Sequence, residues 1–340
     1  MGTLKKVIRL TFLSPVLLFA NATFWILKCI PNTGFVQRSI QILSAATRRI
    51  PENRTKPIFI DRSLLLNRRH FDFVFKSSRL GISWTACAFP DLLTRHMMFE
   101  GMYQQDVLVA LRSVIKTGDV VFDVGGHHGL MAIVSSLATG ATGRVVTFEP
   151  NPYARRYLET HLALNNVRNV AVESVALSDK NDVVSFYIQT GDVSWNSTII
   201  EKFAGHDSFS ESISVRTVTL DDYIAQSNVV PDVIKIDVEG SEFLILNGAR
   251  TLFREHKPVL IMEFNPLSAS AAGRTISNYV EFFREHSYKL LVLKGDFLGN
   301  YKFSAREDFD EAKHTRNNRL VNVICLPQSG RIEGSSGGGR

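Results

Sequence analysis

The stretch Val121-Phe122-Asp123-Val124-Gly125-Gly126-His127-His128-Gly129 decides the fold. It is entered by Val120–Val124, a short run without polar alternation, as expected for a strand buried on both faces of a parallel sheet. Leu130–Leu137 follows with helical spacing, so the glycines fall in a strand-to-helix turn. Gly125 can take a sharp turn, and its missing side chain lets a ligand approach the backbone. Gly129 lets the helix start close against the strand, and that helix start offers free amides to a polar ligand. A dinucleotide-binding turn wants GxGxxG, whereas this one reads D-x-G-x-x-x-G. Asp123 would repel a pyrophosphate and suits a cationic ligand, an ammonium or a sulfonium.

Twenty residues beyond Gly129 a second strand, Arg144–Phe148, runs into Glu149 and Pro150. A carboxylate at that strand end can accept both hydroxyls of a ribose. A third element, Ile234-Lys235-Ile236-Asp237-Val238-Glu239-Gly240-Ser241-Glu242, breaks from a buried strand into a helix. It brings Asp237 and Glu239 to the same carboxyl edge, where open parallel sheets bind ligands. Ser241 and Glu242 read as a cap and a first-turn acid.

From about Met98 the chain alternates in the manner of an α/β domain. Helices are expected at Asp106–Ile115, Pro152–Leu164, near Glu242–Glu255 and at Ile276–His286. Strands are expected at Asn169–Leu177, Val233–Ile236 and Pro258–Glu263. Val183–Ile188 and Ile213–Leu220 read as a strand pair around the polar insertion Gly191–Ser212. Tyr288–Leu293 and Leu320–Leu326 read as a closing antiparallel hairpin.

The 340 residues predict about two domains. With 45% hydrophobic and 21% charged residues, collagen-like, disordered and disulfide-scaffold classes are excluded. Three dispersed cysteines without CxxC argue for a reducing compartment and against structural zinc, and no metal site is expected. The net charge of +6 tolerates an anionic partner or membrane surface without requiring nucleic acid, which is not expected as a partner.

Four segments are expected: 1–30 hydrophobic, 31–97 an appendage with helices or strands, 98–327 the α/β domain, and 328–340 a Gly/Ser-rich tail. Leu10–Leu27 is an uncharged run of 18 residues, at the lower edge for a membrane span. A membrane anchor over residues 8–30, a soluble amphipathic or buried helix, and a cleaved signal peptide all compete for it. The run Asn67-Arg68-Arg69-His70 reads as a solvated face.

Together these motifs resemble the FkbM family of class I S-adenosylmethionine-dependent methyltransferases over roughly Glu100 to Pro266. The resemblance is carried by Glu100–Tyr103, DVGGHHG, Phe148–Pro152, Ala176–Asp179, Trp195–Thr198 and above all Ile234–Glu242, followed by Leu246–Ala249 and Met262–Phe264. It implies a Rossmann-like, mostly parallel seven-stranded sheet whose last strand is antiparallel. S-adenosylmethionine is the implied cofactor, with Asp123, Gly125, Gly129, Glu149, Pro150, Ala176, Leu177, Asp237 and Glu239 as its binding residues. The acceptor implied is a hydroxyl of a sugar, glycolipid or small metabolite. His127 and His128 depart from the family turn, which usually carries Asn or Gly and then an apolar residue.

An alcohol acceptor loses its proton during transfer, so a base helps, by on the order of 10²–10⁴-fold. Asp237 is the first candidate by its strand-end position, His127 the second by its unperturbed pKa, with Glu239, Glu263 and His128 behind. Trp195 and Asn196 sit in the insertion, which reads as a substrate-facing lid, and His206 there reads as exposed. Because S-adenosylmethionine is cytosolic, the catalytic domain is expected to face the cytosol. Two rivals stand beside this reading: an NAD(P)-dependent oxidoreductase, and a catalytically inactive methyltransferase-like module tethered to a membrane.

Overall fold

The computed structural model describes residues 22–23, 27, 33–47, 73–86, 91–188, 197–204, 211–293 and 307–328. Most of the N-terminal apolar run, the basic run at 67–70, Trp195, Asn196, His206 and the Gly/Ser-rich tail lie outside them. Among the described residues, no helix is long and apolar enough to cross a membrane. The chain forms two compact units, with the first change at Gln105/Asp106.

The N-terminal unit holds helix α1 (Thr33–Thr47), strands β1 (Val74–Lys76) and β2 (Ser83–Thr85), and helix α2 (Leu92–Phe99). β1 and β2 pair antiparallel, with Phe75 opposite Trp84. The Trp84 ring is fully buried, and its indole N–H donates to Thr94 Oγ1 at 3.1 Å. The Asp91 side chain caps α2 by accepting from the Thr94 amide at 3.3 Å, which satisfies one of the orphan donors of a helix start.

The second unit opens with α3 (Gln105–Val114) and continues β3 (Val120–Val124), α4 (Leu130–Thr139), β4 (Arg144–Phe148), α5 (Pro152–Leu164) and β5 (Val170–Glu173). Next come β6 (Ala176–Leu177), β7 (Asp182–Ile188), α6 (Glu201–Ala204), β8 (Glu211–Val218), α7 (Leu220–Ser227) and β9 (Val233–Ile236). The remainder is α8 (Glu242–Asn247), α9 (Arg250–Glu255), β10 (Val259–Phe264), α10 (Pro266–Ala271) and α11 (Ile276–Glu285), then β11 (Tyr288–Val292), β12 (Glu307–Asp308), α12 (Glu311–His314) and β13 (Val321–Pro327).

The main sheet runs β12-β11-β13-β10-β9-β3-β4-β5. Neighbours from β10 through β5 are parallel, whereas β13 is antiparallel to both β10 and β11. The expected seven strands are present, and the two-residue β12 adds to the edge beside β11. Both faces are covered, so Phe122, Val146, Ile234 and Leu260 are wholly buried, which is why these strands read as apolar runs. The chain steps from β3 to β4 and β5, then returns to β9 on the other side of β3. Their carboxyl ends therefore flank a topological switch point, the place where such sheets bind ligands.

Two expectations are corrected. Asn169–Leu177 is two strands in different sheets: β5 edges the main sheet, while β6 joins a small sheet of order β6-β8-β7. The expected helix near Glu242–Glu255 is two short ones, α8 and α9, separated at Gly248. There a Cβ would stand 2.1 Å from the Ser178 carbonyl oxygen, so the chain turns where that carbonyl comes close. The expected β7–β8 pair forms, and it is antiparallel, with Val184 opposite Val215.

Candidate functional site

A polar row crosses three central strands of the sheet. Lys235 on β9 sits opposite Asp123 on β3, and Asp123 opposite Thr147 on β4. Thr147 Oγ1 donates to Asp123 Oδ2 at 3.3 Å, and Lys235 Nζ lies 3.5 Å from Asp123 Oδ1. The same ammonium lies 3.6 Å from Asp237 Oδ2 and donates to the Gly125 carbonyl at 3.0 Å. Burial pushes the Asp123 carboxyl up, with Lys235 and Thr147 pulling it part of the way back. Burial also disfavours the Lys235 ammonium, but attraction to Asp237 and Asp123 outweighs it, and the net shift is upward.

The turn after β3 is folded onto the end of β4. Gly125 has φ 82°, and its amide and that of Gly126 both donate to the Phe148 carbonyl, at 3.0 and 3.1 Å. A Cβ at Gly125 would stand 1.9 Å from the Asp237 carbonyl oxygen, and one at Gly126 would stand 2.1 Å from Thr147 Oγ1. Only glycine fits this close approach. Gly129 has φ 88° and lies against Leu158, which sets the start of α4 beside α5.

Glu149, 6% exposed, closes the second side. Its Oε2 accepts the His127 amide at 2.6 Å and its Oε1 the Asn151 amide at 2.8 Å. Each carboxylate oxygen has a second lone pair beyond these bonds. Burial pushes this carboxyl up, against the lowering effect of His127 and the two amides. Arg155 Nη1 donates to the carbonyls of Glu149 at 3.0 Å and Pro150 at 3.4 Å, which fixes the bend between β4 and α5.

Beyond β9 the carboxylates crowd. The Asp237 side chain is 22% exposed, and Glu239 follows in a left-handed conformation at φ 54°. Burial and repulsion by Asp237 and Glu242 push Glu239 up to about 8. Glu263 on β10 is pushed up to about 9 by burial and by Asp237, Glu239 and Glu242, while Asn265 Nδ2 reaches Glu263 Oε2 at 3.5 Å. Near neutral pH both therefore hold a proton. Glu242 is buried, and its Oε1 accepts the amides of Val238 at 3.3 Å and Gly240 at 3.2 Å, a first-turn role as expected.

Residues 123–290, from the first carboxylate of the polar row to the sixth strand of the sheet, match the family model of the methyltransferase FkbM domain. These residues are an FkbM methyltransferase domain. Over 147 residues the chain is 29% identical to the hexuronic acid methyltransferase AglP of Haloferax volcanii, covering 43% of this chain and 56% of that protein. The chain thus spans little more than half the length of this relative. Among solved structures, the methyltransferase FkbM of Methylobacillus flagellatus KT aligns with a TM-score of 0.41 and 16% identity, over 86% of this chain and 60% of that one. The precorrin-6y C5,15-methyltransferase of Geobacter metallireducens GS-15 aligns with a TM-score of 0.37 and 17% identity, over 66% of this chain and 86% of that one. At such scores the strand order, not the overlay, carries the fold.

Other residues of the FkbM domain take less exposed places. Ala176 and Leu177 are buried in β6, Leu177 in the main core and Ala176 in the small sheet's cluster. His128 is 3% exposed, packed against Tyr157 at 4.9 Å between ring centres, and His127 stacks on it at 4.0 Å. Burial, with His127 and His161 nearby, holds the His128 imidazole well below its ordinary range. The His161 ring Nδ1 meets the His128 carbonyl at 2.8 Å.

The described part of the polar insertion crosses this edge. Asn151 Nδ2 donates to Ser197 Oγ at 3.2 Å, and Thr198 Oγ1 donates to the Glu239 carbonyl at 2.8 Å. Sequence reasoning passed over Lys235. The available signal was a charge at a strand position flanked by Ile234 and Ile236, where a lysine is buried only when paired.

Proposed function

We propose that this domain transfers a methyl group from S-adenosylmethionine to a hydroxyl of a sugar or similar small acceptor. The observation that carries the reading is Glu149, a nearly buried carboxylate held by two turn amides at the switch point of the sheet. Its remaining lone pairs suit the two hydroxyls of a ribose. Gly125 and Gly126 let the turn lie hard against the Asp237 carbonyl and Thr147, which brings the turn to the carboxyl ends of β4 and β9 where the ligand is placed. These features fit S-adenosylmethionine, with Glu149 and Pro150 at the ribose, Gly125–Gly129 along the turn, and Asp237 at the cationic end with Glu239 beside it. Asp123 is wholly buried on Lys235 and Thr147, so it supports this arrangement from beneath. Ala176 and Leu177 supply an apolar wall.

S-adenosylmethionine supplies a methyl already activated by its positive sulfur. The chain must then align an acceptor oxygen, exclude water and receive a proton. Glu239 and Glu263 are pushed toward their protonated forms, which gives Glu263 a donor's role toward the acceptor, while Asp237 at the strand end and His127 in the turn are the residues proposed to receive the proton. The sugar class is supported by the relative named as a hexuronic acid methyltransferase. Since the methyl donor is a cytosolic metabolite, the domain is assigned to the cytosol, and an anchor in residues 8–30 would hold it at a membrane surface.

The test is calorimetry with S-adenosylhomocysteine and with NAD(H), followed by tritiated-methyl transfer to uronic acids, neutral sugars and extracted glycolipids. Binding of S-adenosylhomocysteine with labelling of a sugar hydroxyl is expected. Heat from NAD(H) alone would reverse the reading to an oxidoreductase, and silence with both would favour an inactive module.

A further inference from the structure

We infer that Lys235 is a positioning residue that locks the two walls of the site, the β3–α4 turn and the end of β9, into one arrangement; this rests on the methyltransferase reading above. Three contacts join those walls. The Asp237 amide donates to the Val124 carbonyl at 3.1 Å, which carries the β3–β9 ladder one step past the strands. The Gly125 Cα lies hard against the Asp237 carbonyl, with no room for a methyl group. Lys235 then reaches across, donating to the Gly125 carbonyl at 3.0 Å while its ammonium faces Asp123 at 3.5 Å and Asp237 at 3.6 Å.

The first two contacts are backbone geometry that neighbouring strands provide. Lys235 ties a carbonyl of the turn to the Asp237 side chain, and it does so from a position 5% exposed. A buried ammonium is costly unless it is paired and hydrogen-bonded. A simple counter-ion for Asp123 would need one partner. Lys235 has three, and two of them, Gly125 and Asp237, stand at the site itself. The carbonyl of Gly125 immediately precedes the amides that fold onto Phe148 and Glu149, so a turn released at Gly125 would also loosen Glu149.

A purely structural role and a positioning role are separated by removing the ion pair in two ways. Lys235→Met leaves the Asp123 charge buried and uncompensated, and that variant is expected to lose stability. The double variant Lys235→Met with Asp123→Asn removes both charges and is expected to regain most of the thermal midpoint. S-adenosylhomocysteine affinity and methyl transfer in the double variant should nevertheless stay at least about tenfold below wild type, because the Gly125–Asp237 tie is still missing. Asp123→Asn alone is the reference for that comparison: the double variant should bind S-adenosylhomocysteine about tenfold more weakly than Asp123→Asn does, and equal affinities of the two would overturn the inference. A double variant that recovers stability and affinity together overturns the inference, as does one that recovers neither, since the pair would then not be the stability term. Wild-type protein that binds no S-adenosylhomocysteine overturns the methyltransferase reading first, and this inference with it.

Discussion

The His127 amide donates to Glu149 Oε2 at 2.6 Å, joining a turn and a strand end that stand 22 residues apart. The bond is possible because His127 adopts φ 46°, a left-handed conformation uncommon outside glycine. Histidine is among the residues that tolerate it, which gives a physical reason for the residue in a turn where the related family usually carries Asn or Gly. Glu149→Gln keeps the shape and removes the charge from two amide bonds. S-adenosylhomocysteine affinity should fall by about 1.5–3 kcal/mol, the range for charge-assisted bonds. Calorimetry on both proteins measures it, and an unchanged affinity would remove Glu149 from the ligand.

Gly125→Ala and Gly273→Ala make a controlled pair. Both glycines have positive φ, 82° and 71°, so both substitutions carry the backbone penalty of about 1 kcal/mol. At Gly273 a Cβ meets nothing within 4 Å, whereas at Gly125 it meets the Asp237 carbonyl oxygen at 1.9 Å. Gly125→Ala should therefore cost about 1–3 kcal/mol more, as overpacking against backbone does, and should abolish cofactor binding. Urea midpoints of the two variants decide this, and equal midpoints would refute it.

Stability should fall as pH rises above neutrality. Glu239 and Glu263 take up protons at about 8 and about 9 when folded, against an ordinary 4.5. Above pH 4.5 the unfolded chain has lost these protons while the fold retains them, so unfolding releases protons. Their contribution is complete below pH 4.5 and is lost as pH passes about 8 and about 9. Each group can add a slope of at most about 1.4 kcal/mol per pH unit. His161 works in the opposite sense: burial lowers it from 6.5 to about 4, so its contribution is present above pH 6.5 and lost as pH falls through about 4. Between pH 6.5 and 9 the carboxyl slope should show most cleanly. Urea midpoints across that range should decline, and Glu263→Gln should flatten the decline.

Thr198 is 1% exposed, donates to the Glu239 carbonyl at 2.8 Å and accepts the Ile200 amide at 3.0 Å. Thr198→Val keeps the volume but strands both groups, at a cost of about 1–3 kcal/mol. With Glu239 already at φ 54°, the turn behind Asp237 should relax. An increase in the acceptor KM of several-fold, with S-adenosylhomocysteine affinity kept, is expected from steady-state kinetics and calorimetry. Loss of cofactor affinity instead would place this segment on the other ligand.

The central strands were legible because burial on both faces forces an unbroken apolar run, as in Val120–Val124 and Val233–Ile236. The glycine turn was legible because a close backbone approach admits little else. What escaped depended on partners distant in sequence. Nothing between Asn169 and Leu177 announces that the chain leaves one sheet for another, because both halves are extended. The α8–α9 break at Gly248 is imposed by the Ser178 carbonyl, 70 residues earlier. In the candidate site, the carboxylates could be placed on one edge from their strand-end positions. Their division into a buried Asp123, a bridged Asp237 and protonated Glu239 and Glu263 follows from side-chain neighbours that no local pattern encodes.

β13, the last strand of the described chain, lies between β10 and β11, which were both made before it. During synthesis, β11 thus has no place in the growing sheet until residues 321–327 leave the ribosome. The interval from Tyr288 to Val321 is a period in which the apolar edge of β10 stands open, and a nascent chain halted there presents that edge and the unplaced β11 to chaperones or to other chains.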